Sequence, residues 1–167
     1  FGGGLDGTVK ADLNGDGIFD GGLHVIINGG TVNAAVTGSG ADEKYNGKTY
    51  VTVCGDALIY PSSEGAVFGA GSGSGDGSSN AEVSGDILVN IFCNAKLDKN
   101  DYYANVYGTN TSKNTNSDIT MNVFDNANIV GSINGGAYVA NSGIGSSIGA
   151  PKNINVNVYG AAFVRLN

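Results

Sequence analysis

ITMNVFDNANIV, from Ile119 to Val130, is the stretch on which the reading of this chain turns. Apolar Ile119, Met121 and Val123 alternate with polar Thr120 and Asn122, a period of two that marks a strand with one buried face. Diverged copies recur as HVIINGGTV (24 to 32), VTVCGDALI (51 to 59), ILVNIFCNAKL (87 to 97) and INVNVYGAAFV (154 to 164). Self-similarity at spacings of this size is the signature of a repeat architecture, in which each unit buries its apolar face only against its neighbours.

Anchoring each copy on the apolar residue that opens the turn gives Ile26, Val53, Ile91, Val123 and Val158, in steps of 27, 38, 32 and 35 residues. The position after the anchor holds Ile27, Cys54, Phe92, Phe124 and Tyr159. Four after it, only small residues occur: Gly30, Ala57, Ala95, Ala127 and Ala162. Six after it come Val32, Ile59, Leu97, Ile129 and Val164. On this ruler His24 shares a column with Val51, Val89, Met121 and Val156, and reads as a tolerated core or edge histidine. Short second arms follow: AAVTGSG to Gly40, GAVFGAG to Gly71, ANVYGTN to Asn110 and GAYVANSG to Gly143. Each is a strand of two or three residues followed by glycine or asparagine, which are expected to turn the chain at positive φ. Glycine and β-branched residues are too dense for any long helix.

Two or three short strands per unit, with inserts of unequal length between them, describe coils of a solenoid. The pattern resembles the right-handed parallel β-helix regions of bacterial surface proteins, the autotransporter-like passengers and adhesins. The matching residues are VIINGGTV at 25 to 32, VFGAG at 67 to 71 and NVYG at both 105 to 108 and 157 to 160. The resemblance implies an all-β fold, a right-handed parallel β-helix of about five irregular coils forming a single domain over residues 1–167. It specifies architecture and leaves activity open. The handedness agrees with the general preference for right-handed crossovers.

Both termini fall inside the repeat pattern, with Gly7, Thr8 and Val9 echoing Gly30, Thr31 and Val32. The expectation is a processed chain or a fragment of a longer repeat protein, with irregular caps as the alternative. The net charge is −7 and the eight cations form no stripe, which argues against nucleic acid. No apolar run is long enough to span a membrane. The acidic, glycine- and asparagine-rich composition suits a secreted protein, extracellular or on the cell surface.

DLNGDGIFD carries the strongest local motif. Asp12, Asn14, Asp16 and Asp20 offer oxygens at alternate positions around Gly17, with Ile18 supplying a backbone carbonyl, as a Ca²⁺ loop requires. The twelfth position, normally a bidentate acid, is Leu23, and no helical pattern flanks the loop. A polar β-turn satisfied by its own Asp and Asn side chains is the slightly favoured alternative.

Three further columns invite function. Asn90, Asn122 and Asn157, after Thr52, suit an amide ladder better than a sugar-binding row. Phe92, Phe124 and Tyr159 suit stacked packing better than a carbohydrate platform. Asp86 and Asp118, between Lys48 and Asn153, are the nearest approach to the paired carboxylates of β-helical polysaccharide lyases and hydrolases, and read as solvated turn acids. Cys54 and Cys93 lie one and two positions after their anchors, as unpaired fillers or as a bonded pair.

The expected function is therefore non-enzymatic: a segment or subunit of a bacterial surface fibre, self-associating or joined to neighbouring repeats at open solenoid ends. The alternative is an adhesin that binds host glycan or protein through inserts at 42 to 48, 71 to 80 and 109 to 117.

Overall fold

A computed structural model describes residues 19–40, 44–45, 47–62, 65–71, 82–98, 103–109, 117–136 and 152–165. Among these the protein is all-β, without helix, and its parallel strands stack in three sheets in the manner of a β-solenoid. The first sheet holds β1 (Phe19–Asn28), β5 (Gly47–Cys54), β9 (Ile87–Ile91), β12 (Asp118–Val123) and β15 (Asn153–Val158), in that spatial order. The second stacks β2 (Thr31–Val32), β6 (Leu58–Ile59), β10 (Lys96–Leu97), β13 (Asn128–Val130) and β16 (Phe163–Arg165). The third contains β3 (Val36–Thr37), β7 (Val67–Phe68), β11 (Val106–Tyr107) and β14 (Ile133–Asn134). A corner pair, β4 (Lys44–Tyr45) with β8 (Glu82–Val83), precedes β5 and β9.

The period-two pattern sends alternate side chains of the first sheet inward, where they meet those of the other two sheets. Val51, Val89 and Met121 form one inward column, and Val53, Ile91 and Val123 the next, all essentially inaccessible to water. Ile59, Leu97 and Ile129 face them from the second sheet, and Val36, Val67 and Val106 from the third. Each coil thus buries a layer of branched aliphatics that is completed by the coils above and below, at roughly 25 cal/mol for each Å² removed from water. Among the buried polar residues, Thr49 on the inward face of the first sheet is satisfied by donating its hydroxyl to the Gly69 carbonyl at 2.7 Å.

The register corrects the first copy. Ile27, not Ile26, pairs with Val53, so the true columns begin His24–Tyr50, Val25–Val51, Ile26–Thr52 and Asn28–Cys54. Gly30 nevertheless sits beside Ala57, whose neighbour Leu58 donates to the Gly30 carbonyl at 2.8 Å. The first turn is simply one residue shorter than the others. Two adjacent left-handed glycines, Gly29 (φ 95°) and Gly30 (φ 78°), make that shortcut. His24 is accordingly an outward residue rather than a core one, its ring stacked on Tyr50 at 4.4 Å.

Two more expectations change. The second arm expected at GAYVANSG is instead β14, Ile133–Asn134, which pairs with Val106 and Tyr107; residues 137–143 lie outside the described set. The glycines that follow each third-sheet strand, Gly38, Gly69, Gly108 and Gly135, do not have positive φ. They are required by close approach: a Cβ on Gly38, Gly69 or Gly108 would strike the carbonyl of the next glycine in the column. On Gly108 it would also come within 2.7 Å of Ile119 Cγ2, the residue that opens the next inward column.

Candidate functional site

The outer face of the first sheet and its last strand carry the features that bear on function. At the turn leaving each long strand, Gly55 (φ 62°), Cys93 (φ 59°), Asp125 (φ 57°) and Gly160 (φ 71°) all adopt the left-handed conformation. The amides of Ala57, Ala95 and Ala127 close these turns onto the carbonyls of Cys54, Phe92 and Phe124. A methyl is all that the closely packed coils admit at these three buried alanines. The turns hold the side chains on either side of them in vertical rows.

The first row is the asparagine ladder. Asn122 Nδ2 donates to Asn90 Oδ1 and Asn157 Nδ2 to Asn122 Oδ1, each at 2.9 Å. Reading the repeated asparagine as structural is borne out by this geometry. Sequence reading missed a second ladder on the turn itself, where Asn94 Nδ2 donates to Asp56 Oδ1 (3.0 Å) and Asn126 Nδ2 to Asn94 Oδ1 (3.2 Å). Its signal, an amide or acid immediately before each small alanine (Asp56, Asn94 and Asn126), was present in the aligned copies.

The aromatic row is stacked almost perfectly flat. Phe92 and Phe124 lie 4.8 Å apart at 3°, and Phe124 and Tyr159 5.1 Å apart at 2°. Both faces of Phe124 are therefore covered by rings of neighbouring coils, and only ring edges meet solvent. A sugar platform requires an open face, so at Phe124 the packing role holds, while Tyr159 at the end of the row is half exposed. Asn28 and Cys54 complete the column, with Cys54 Sγ donating to Asn28 Oδ1 at 3.5 Å.

The acidic column is partnered at both positions. Lys48 Nζ lies 3.2 Å from Asp86, an ion pair that raises the lysine's pKa, and Asn153 Nδ2 donates to Asp118 Oδ1 at 2.7 Å. These carboxylates lie along a surface edge, each held by its neighbour in the row. Asp12, Asn14, Asp16 and Ile18 lie outside the described residues, and of Asp20 only the backbone, in β1, is described. Among the described residues no cluster of three metal-ligating side chains occurs. Of the inserts named as display loops, residues 42, 43, 46, 72–80 and 110–116 lie outside the described residues, whereas Lys44–Tyr45 and Gly47–Lys48 belong to β4 and β5 and Tyr45 is buried rather than displayed. Cys54 and Cys93 are free thiols.

The most informative surface lies at β15, the last of the described strands in the first sheet. Ile154, Val156 and Val158 continue the inward columns, yet they are 45%, 41% and 48% exposed, whereas Ile119, Met121 and Val123 one coil earlier are at 0–1%. Tyr159 and Phe163 are half exposed beside them, the latter partly covered by the Arg165 guanidinium 5.5 Å from its ring centre. The Val123 carbonyl accepts from Tyr159 N–H at 3.0 Å, which shows that inward residues spend their backbone groups on the following coil. By the same alternation the N–H and C=O groups of Ile154, Val156 and Val158 point to the outer edge, which no described strand occupies.

No helix among the described residues is long and apolar enough to cross a membrane. No protein-family model matches the chain, and neither the curated proteins nor the solved structures contain a match to it.

Proposed function

We propose that the protein is a structural, non-enzymatic part of an extracellular fibre, a right-handed parallel β-helix of about five irregular coils that is extended by stacking at its β15 end. The exposed continuation of the inward columns at Ile154, Val156 and Val158 is the observation that carries this reading. Burying that end removes apolar surface from water and supplies partners to a row of strand-edge N–H and C=O groups in a single step. Asn157 and Tyr159 sharpen the requirement. A strand that extends both ladders places an amide over Asn157 and an aromatic ring over Tyr159. An end-to-end contact of this kind is heterologous and non-closing, so it propagates into a filament. The composition, acidic and rich in glycine and asparagine, supports a location outside the cell or on its surface.

Val156→Pro is the informative variant. Its N–H points away from β12, so proline removes no bond within the chain and is tolerated on an edge strand, while it blocks strand addition. Negative-stain microscopy of concentrated wild-type protein is expected to show end-to-end particles of growing length, and Val156→Pro to show single particles. Single particles in both preparations would overturn the proposal.

A further inference from the structure

Cys54 and Cys93 come from adjacent coils and meet at the same turn. Phe92 N–H donates to the Val53 carbonyl and Asn94 N–H to the Gly55 carbonyl, each at 3.0 Å, so Phe92 stacks over Cys54 and Cys93 over Gly55. Cys93 therefore lies one rung up and one residue along from Cys54. With rungs about 4.8 Å apart and successive Cα atoms about 3.8 Å apart, the diagonal Cα separation is about 6 Å, within the range that a disulfide spans. Cys93 also occupies the left-handed turn position that Gly55 and Gly160 fill on other coils, a conformation uncommon for a residue with a side chain.

We propose that Cys54 and Cys93 are a dithiol pair that closes into an inter-coil disulfide on exposure to a small-molecule disulfide oxidant, locking the β5 coil to the β9 coil. The half-buried Cys93 is the accessible member and reacts first. Its thiolate attacks one sulfur of the oxidant, forming a mixed disulfide and releasing one thiol. Cys54, buried behind the turn, then leaves its contact with Asn28 and attacks the Cys93 sulfur as thiolate, releasing the second thiol. Two protein thiols and one oxidant disulfide give one protein disulfide and two small thiols. Burial, and next the proximity of Cys93, push the Cys54 thiol up, which suits the role of second attacker.

The bridge would close the longest step in the stack, the 38 residues from Val53 to Ile91 in the observed register. Constraining a loop of that size in the unfolded chain corresponds to a rise in Tm of about 10 °C for a domain of this length. The lock concerns neighbouring coils within one chain and is independent of whether ends join.

Equilibration of the wild-type chain with glutathione disulfide tests the pair. The expected result is loss of two hydrogens by intact mass, a Cys54–Cys93 linked peptide in a non-reducing digest, and the higher Tm. All three are reversed by reductant and absent in Cys93→Ser. Two thiols still titratable after denaturation, adducts with glutathione alone, or linkage only between molecules would each overturn the proposal. The wild-type readout needs no variant to fold.

Discussion

β12 and β15 have nearly the same sequence, DITMNV and NINVNV, the same register and the same outward ladders, yet one is core and the other is surface. Nothing in the alternation of either strand accounts for the difference. Burial in this molecule is conferred by the next coil, and an inward column is only as dry as the layer stacked on it. Ile119 and Ile154 are therefore identical in type and column and opposite in energetic role.

The widest separation is expected from a charge placed in equivalent positions of the two strands. Val123→Asp buries a carboxylate with no partner and should cost more than about 4 kcal/mol, enough to prevent folding of a marginally stable domain. Val158→Asp leaves the carboxylate in contact with water and should cost less than about 1 kcal/mol in dilute solution. Urea titration of both variants checks this, and equal losses would break the comparison.

Glycine gives the next contrast. Gly108→Ala forces a Cβ against the Gly135 carbonyl and Ile119, at a cost on the order of 2–4 kcal/mol, whereas a Cβ on Gly136 meets nothing within 4 Å and Gly136→Ala should be neutral within about 0.5 kcal/mol. The ladder follows the same logic on a smaller scale. Asn122→Ala removes two amide bonds and should cost about 1–2 kcal/mol, while Asn157→Ala removes one exposed bond and should cost about 0.5 kcal/mol.

The interior also has a pH signature. Tyr45, 1% exposed at the β4 corner, has its phenol pushed up to about 12 by burial and then by Tyr50. The folded form thus holds its proton after the unfolded chain, titrating near 10, has lost its own. The associated stability is fully present below pH 10 and falls as pH rises from about 10 to 12, by an amount on the order of 1 kcal/mol. Tyr45→Phe should flatten that segment of the stability profile.

The solenoid character was legible because five strands repeat one inward pattern, and Val53, Ile91, Val123 and Val158 do occupy one column. The first copy was misplaced by one residue because Gly29 and Gly30 shorten a turn, and backbone conformation of that kind leaves no mark in the apolar pattern. Local likeness misled in another way. NVYG at 105 to 108 belongs to the third sheet, while the same four residues at 157 to 160 finish β15 and enter the turn. The glycine column was visible as V-x-G in three arms, yet its reason, contact with the carbonyl of the next coil, exists only once coils are stacked. The exposure of β15 was invisible for the same reason, since its alternation reads as that of a buried strand.

Residue-resolved amide hydrogen exchange across a concentration series tests the proposed joining at β15 most directly. The account predicts that Ile154, Val156 and Val158 exchange rapidly in dilute solution and become protected as concentration rises, while Ile91 and Val123 stay protected throughout. Protection of the β15 amides already in dilute solution, or none at any concentration, would contradict it.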